Sequence, residues 1–236
     1  RSGTQKWKFV AFDLDHGFDW EWGVKGFSQS TNMFSWIKTG GITTGSCYKN
    51  ESPLCFHNVF NKLNTNPDFR RAFVNRSAIL YSSYVNSEKV TLATNQMAAT
   101  IPSAESDRDM KKFNRDELYY QNSCGKGFSV TGSCLKEWSV SRDPVVRKEY
   151  RSEYGLGEDI AVGFTVIGDG EILVDEMPLP TREYIGSFFS GNAMLLTAKG
   201  NGKFLGWEDG STENPRLVVP TEGALYFATF EQSLGE

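Results

Sequence analysis

Two aspartates near the start of the chain have the residue type and the spacing needed to hold a metal ion. Asp13 and Asp15 follow the apolar segment 7–12, which predicts a short strand. Residues i and i+2 of a regular strand share a face, so both carboxylates would point to one side. Magnesium prefers oxygen ligands and bridges the β- and γ-phosphates of a nucleotide. The pair therefore predicts a metal–nucleotide site, and the alternative is a pair of solvated strand-end carboxylates.

The four cysteines form two close pairs in the sequence, Cys47 with Cys55 and Cys124 with Cys134. Both pairs lie among Gly, Ser, Asn and Thr residues, a composition typical of loops. Two disulfides that each close a short loop would require an oxidising compartment, which predicts a secreted or cell-surface protein. A zinc site built from all four thiolates is the competing interpretation, but the spacing lacks the tight C-x2-C knuckle.

From Phe56 onwards, the first part of the chain has a helical pattern. Asn66-Pro67 predicts a helix start, with Asn66 as the N-cap and Pro67 at the first helical position. Ser87 is the predicted cap of the next helix. Asp143-Pro144 is the predicted start of a last helix, which Gly155 would end.

After residue 157 the pattern changes to short strands. Segments 160–167 and 171–175 flank Gly168-Asp169-Gly170, which predicts a β-hairpin. Further predicted strands cover 183–189, 193–198, 203–207, 215–219 and 224–230. Turns every 8–12 residues indicate a small antiparallel β domain. The sequence thus predicts an α+β protein with a mainly helical domain, 1–156, and a small all-β domain, 157–236.

Charge divides the chain at nearly the same point. Residues 159–236 contain 12 acidic and 4 basic residues, a balance of −8, whereas residues 1–158 contain 17 acidic and 21 basic residues, a balance of +4. The basic first part suits an anionic ligand such as a nucleotide, but its positive charge is too weak and too dispersed to indicate nucleic-acid binding.

No apolar stretch approaches the roughly 20 residues that span a bilayer, so no membrane span is expected.

The first part of the chain also resembles a known family. The resemblance is carried by segment 7–18, by 53–56 with Leu63, by 66–70, and by Arg142 with 150–156. In this order they resemble the later half of CotH-like proteins, the spore-coat-kinase family. The resemblance implies an atypical protein-kinase-like fold, with the mainly helical part similar to a kinase C-lobe. It also implies transfer of phosphate from ATP to Ser residues of secreted or surface proteins, with Mg²⁺ (or Mn²⁺) as the metal.

Within that resemblance, Asp15-His16-Gly17 stands where ordinary kinases place their metal-binding Asp-Phe-Gly triplet. Asp13 and Asp15 would hold the metal and the nucleotide. No Gly-rich phosphate loop, β3-type lysine or preceding catalytic-loop aspartate is found in the 236 residues, and in the family these lie upstream. We therefore expect the remainder of the kinase domain to lie N-terminal to this chain. This portion alone is expected to be inactive, and the sequence leaves the catalytic base unknown.

The second part of the chain, residues 157–236, resembles the small β repeats at the ends of bacterial surface and secreted proteins. The resemblance is carried by 187–191, 195–198, 203–210 and 224–230. Trp207 is predicted to be a core residue beside a turn, and carbohydrate stacking is the alternative. The β domain would act as a surface or partner module.

Two other functions compete with the kinase interpretation. Segment 12–17 also resembles the first motif of haloacid-dehalogenase-type phosphatases, with Asp169 in the place of a later acidic motif. The other is a non-catalytic secreted structural or binding module. Arg70, Arg71 and Arg76 are predicted to form a solvated helix face, and a phosphate-contacting arginine among them is the alternative.

Overall fold

The computed structural model describes residues 32–39, 56–100, 102–112 and 133–232. The predicted metal ligands and three of the four cysteines lie outside these ranges: Asp13, Asp15, Cys47, Cys55 and Cys124. Cys134 belongs to a described helix, but its side chain is not described. The metal–nucleotide site and the two disulfides therefore stay predictions.

The described residues form helices first and strands afterwards. The helices are α1 (Met33–Thr39), α2 (Phe56–Leu63), α3 (Pro67–Ser83), α4 (Ser87–Ala99), α5 (Ser103–Lys112) and α6 (Ser133–Tyr154). The strands are β1 (Asp159–Ile167), β2 (Gly170–Val174), β3 (Met177–Pro178), β4 (Glu183–Phe189), β5 (Met194–Gly200), β6 (Phe204–Trp207), β7 (Arg216–Val218) and β8 (Ala224–Phe230). This order confirms the predicted α+β class. Among the described helices, none has both the length and the apolar composition needed to cross a bilayer.

Asparagine side chains begin both α3 and α4. The side-chain oxygen Oδ1 of Asn66 accepts from the backbone N–H groups of Asp68 (2.8 Å) and Phe69 (3.3 Å), which confirms the predicted cap. For α4 the predicted cap, Ser87, is wrong by one residue. Asn86 is the cap, because its side chain accepts from the Lys89 N–H at 2.9 Å. Both residue types cap helices well, so the pattern alone could not choose between them.

The last helix begins ten residues earlier than Asp143-Pro144, so that predicted start is wrong. Helix α6 includes Pro144 in its interior. A buried ion pair joins the two sides of this proline: the Arg142 guanidinium donates to both carboxylate oxygens of Glu149, at 3.0 and 3.1 Å. Gly155 ends the helix as predicted, with φ of 63° and a bond from Leu156 N–H to the Arg151 carbonyl at 3.0 Å.

The strands form two four-stranded sheets, with orders β4-β1-β8-β6 and β3-β2-β5-β7. All predicted strands are present, and the bounds of β4 and β8 match the predicted ones. Every pair is antiparallel except β1–β8, which is parallel. The predicted hairpin of β1 with β2 is wrong, because these strands belong to different sheets. Gly168-Asp169-Gly170 is the corner at which the chain crosses between them.

Helix α3 covers an edge of the first sheet. The Ser82 hydroxyl accepts from the N–H of Ser187 on β4 (3.0 Å) and donates to the Ser187 carbonyl (3.2 Å), so it satisfies backbone groups at this edge. The buried apolar residues continue from the helices into both sheets, and Ile79 of α3 and Phe188 of β4 are both fully buried. The change from helix to strand falls between Tyr154 and Asp159. The division into two domains at this point stays a prediction.

Candidate functional site

A cleft of about 400 Å³ opens where four elements meet: the first turns of α3, the C-terminal end of α6, the turn between β4 and β5, and strand β7. Its lining includes Pro67, Arg70, Arg71, Tyr154, Asn192 and Leu217. The volume lies within the range of sites that bind small ligands or a few residues of a peptide. The cleft is therefore the candidate binding site in the described part of the chain.

Arg70 is the exposed cation on the wall of this cleft. It has no ion pair with any other described residue. Tyr154 lies nearby, and its hydroxyl donates to the Asn64 side-chain oxygen at 3.1 Å. Burial raises the pKa of Tyr154, the charge of Glu153 raises it further, and Arg70 opposes the shift. The phenol therefore stays neutral near neutral pH and carries no charge that could pair with Arg70.

Arg71 lies in the same wall but is already engaged. Its Nε donates to Asp175 Oδ1 at 2.8 Å, and its guanidinium also contacts the Asp68 carboxylate. Burial lowers the pKa of Arg71, whereas the bonds to Asp175 and Asp68 raise it, with a net upward shift. The predicted solvated arginine face is thus wrong for Arg71, whose side chain is 20% exposed. Arg76 is more exposed, but it donates two bonds to the Asp175 carbonyl, at 2.8 and 2.5 Å.

Asp175 is the centre of a polar network behind the cleft. Asp175 is 2% exposed, and its carboxylate accepts from Arg71 and from Asn75, the latter at 2.6 Å. Asn75 also donates to the Ala193 carbonyl (2.7 Å), and its own oxygen accepts from Asn192 (2.7 Å). The network joins α3 to the β2–β3 turn and to the β4–β5 turn. Sequence reasoning missed it; the available signal was an asparagine on the apolar face of a helix, where a buried amide requires partners.

Two residues of α6 that carry the family resemblance, Arg142 and Tyr150, make buried contacts with other elements. Arg142 pairs with Glu149, and a Glu149 oxygen also accepts from the Met33 N–H at the start of α1 (3.2 Å). The Tyr150 hydroxyl donates to Ser77 Oγ at 2.8 Å, and its ring stacks on Phe189 with centroids 5.7 Å apart. These buried contacts hold α1, α3, α6 and β4 together.

A second cluster of charges lies beside Trp207, at the end of β6. Trp207 is buried and donates from Nε1 to the Glu213 carbonyl at 2.8 Å, which confirms the predicted core tryptophan. The Arg216 guanidinium lies 4.4 Å from the centroid of its ring and pairs with Glu208 (2.5 Å) and Asp209 (3.0 Å). A bond from the Ser211 N–H, helped by Arg216, lowers the pKa of Asp209. These groups bind one another and stabilise the loop between β6 and β7.

Asp169 lies at the corner between the two sheets. Its N–H donates to the Glu231 carbonyl (3.4 Å), and its own carbonyl accepts from the Gly202 N–H (3.1 Å). The sheets on either side are mainly antiparallel, so the described residues give the phosphatase interpretation no support. Within the described ranges, no group of three or more His, Cys, Asp or Glu residues could hold a metal ion.

Searches of family models, curated proteins and solved structures found no match to this chain.

Proposed function

We propose that this chain is the C-terminal portion of a secreted or cell-surface CotH-like atypical protein kinase that phosphorylates Ser residues of extracellular or surface proteins. The observation that carries the proposal is the acidic segment Asp13-Leu14-Asp15 at the end of a predicted strand. The proposal is supported by the helices that follow in the order expected of the family. Residues 157–236 would serve as a module for partners or surfaces.

The packing of the described helices supports this proposal. Phe69 of α3 and Tyr150 and Tyr154 of α6 come from segments that carry the resemblance. They share one aromatic cluster with Phe73, which stacks on Phe69 (5.8 Å between centroids) and on Tyr150 (5.8 Å). Segments that are far apart in the sequence thus form one helical unit. Such a unit suits the mainly helical half of a kinase-like domain.

The donor set of the proposed site fits magnesium chemically, because two carboxylates at a strand end are hard oxygen ligands. Bound Mg²⁺ would neutralise charge on the β- and γ-phosphates of ATP. Asp13 and Asp15 would hold the ion and orient the nucleotide. Gly17 would allow the backbone to turn away directly after these ligands.

Calorimetric titration with Mg-ATP tests this function, using the protein extended at its N-terminus to complete the kinase domain. Asp15→Asn should weaken binding by about ten-fold or more, because a charge-assisted metal contact is lost. Asp19→Asn, an aspartate of the same segment outside the motif, should bind as the parent does. Equal binding by the parent and Asp15→Asn would contradict the proposal, as would ATP-dependent phosphorylation by residues 1–236 alone.

A non-catalytic binding or structural module is the second candidate. It is favoured by the pairing of buried charges in the described part, where Arg142 pairs with Glu149, Arg71 with Asp175 and Arg216 with Glu208. Saturated pairs of this kind stabilise a scaffold and leave no poised acid or base among them. Absence of Mg-ATP binding by the extended protein, with the fold intact by circular dichroism, would favour this candidate.

A further inference from the structure

Strand β7 has backbone groups beside the cleft that no described residue pairs with. Within the described ranges it is an edge strand of the second sheet, and β5 is its one partner there. The backbone groups of β5 point alternately to its two neighbours. The N–H and carbonyl of Ala198 bond to the Asn214 side chain, on the side of β7, whereas the Leu195 carbonyl accepts from the Asp175 N–H, on the side of β2. Since the ladder alternates, Leu196 faces its β7 partner Arg216, and the N–H and carbonyl of Leu217 point away from the sheet.

Leu217 also joins this open edge to the cleft. It is 60% exposed and lines the cleft together with Arg70. No described residue bonds to its N–H or its carbonyl. A strand edge with free backbone groups is the type of surface to which an extended peptide adds as a further strand.

We propose that the cleft and the β7 edge bind an extended peptide of another protein, with one Asp or Glu side chain of the peptide paired to Arg70. The backbone of the peptide would bond to the outward N–H and carbonyl of Leu217. Its neighbouring apolar side chains would pack against Val74, Leu156 and Leu217 in the cleft wall. This binding site is independent of the proposed kinase function, and its test uses a separate measurement.

Charge determines which peptide fits. The cleft lining contains two arginines. Arg71 is held by Asp68 and Asp175, whereas Arg70 has no ion pair among the described residues. Further negative charge is opposed by Asp68, whose 76% exposed carboxylate belongs to the same lining. A single carboxylate between apolar residues is therefore favoured over a polyacidic segment.

The binding test titrates the isotope-labelled whole chain with a blocked pentapeptide, acetyl-Ser-Val-Glu-Val-Ser-amide, and follows backbone amide NMR signals. We expect signals of Asn192, Ala193 and Leu217 to move together. The same peptide with Gln in place of Glu should bind about three-fold more weakly, because an ion pair with the exposed Arg70 is lost. Absence of a shift at the cleft with millimolar peptide would overturn the proposal, as would acetate alone binding as tightly as the peptide.

Protein variants separate the two contacts. Arg70→Gln should bind the Glu peptide about three-fold more weakly, whereas Arg108→Gln, which removes an exposed arginine of α5, should bind it as the parent does. Leu217→Pro removes the outward N–H without removing a ladder bond to β5, and Leu217→Ala is its side-chain control. We expect the proline variant to bind more weakly than the alanine variant. Equal affinity of Arg70→Gln and parent, or of the two Leu217 variants, would overturn the proposed mode of binding.

Discussion

Asp175 combines two features that are unfavourable alone: a carboxylate almost without access to water and a positive φ of 49°. It begins the two-residue turn between β2 and β3, and Glu176 beside it has a φ of 66°. A buried carboxylate requires partners, which Arg71 and Asn75 provide. The turn and α3 therefore depend on each other, since the strained turn presents the carboxylate that the helix binds.

Substituting Asp175 by Asn should lower the free energy of unfolding by about 3 kcal/mol, because a buried partner of Arg71 loses its charge. The new amide would also direct an NH2 group at a donor, either Arg71 or Asn75. Asp68→Asn is the matched control: this carboxylate contacts the same arginine but is 76% exposed, so its loss should cost less than about 1 kcal/mol. Urea unfolding measures both, and equal losses would contradict the buried role of Asp175.

Tyr150 predicts how stability changes at alkaline pH. An exposed tyrosine has a pKa of 10.0; burial raises the pKa of Tyr150 well above this value, and the bond to Ser77 opposes the shift only in part. Above pH 10 the unfolded chain releases this proton while the folded chain keeps it, so the free energy of unfolding falls as pH rises. Tyr150→Phe removes this contribution, which amounts to about 1.4 kcal/mol per pH unit at most.

The measurement is urea unfolding of parent and Tyr150→Phe at a series of pH values from 8 to 11. The variant should lose stability less steeply than the parent above pH 10. Tyr84→Phe, which changes a tyrosine that is 56% exposed, is the control and should follow the parent. A Tyr150→Phe slope identical to that of the parent would show that the buried phenol does not carry this dependence.

At the scale of elements, the sequence predicted the strands better than their partners. The alternation of apolar residues located β4 and β8, because one face of each strand packs into a core. Gly168-Asp169-Gly170 has the composition of a hairpin turn, but the same glycines also permit a corner between sheets. The corner, and not a hairpin, forms because Gly168 and Gly170 lie against Phe230, a residue far away in the sequence. A local sequence pattern does not contain this contact.

Gly168→Ala tests this corner. A Cβ at residue 168 would overlap the carbonyl oxygen of Phe230, and the φ of 85° already disfavours a side chain. Gly191 has the same φ of 85° and open space around its Cα, so Gly191→Ala is the matched control for backbone strain alone. We expect Gly168→Ala to be less stable than the control by about 2 kcal/mol in urea unfolding. Equal effects would contradict the close packing at the corner.

Helix α6 and the cleft show what sequence patterns leave undetermined. A proline such as Pro144 normally indicates a helix start, but here it lies inside α6, beside the buried ion pair of Arg142 with Glu149. The burial of this pair depends on other helices, which the local sequence does not contain.

The arginines of α3 give a second example, because Arg70, Arg71 and Arg76 are equivalent in the sequence. Asp175, about one hundred residues later, engages Arg71, whereas Arg70 lies exposed on the cleft wall. The candidate cleft could not be predicted because it forms only where these distant segments meet.

At the scale of the whole molecule, Asn75 joins the helical part to both sheets. Its amide contacts Asp175 of the β2–β3 turn and Ala193 and Asn192 of the β4–β5 turn. The charge and pattern changes near residue 157 predict two domains, yet domains that share a buried polar network need not unfold separately. We expect the helical part and the sheets of this chain to unfold as one cooperative unit.

Asn75→Ala tests that expectation by hydrogen exchange. The substitution leaves the Asp175 carboxylate, the Ala193 carbonyl and the Asn192 amide each without one partner, and should lower the free energy of opening by about 3 kcal/mol. If unfolding is cooperative, amides of α3, β2 and β5 lose protection by the same free energy. Thr94→Ala on α4, which removes only a bond to the Val90 carbonyl, should change α3 and the sheets little. Loss of protection confined to α3 would instead mean that the helices unfold while the sheets remain folded, which is the behaviour of two separate domains.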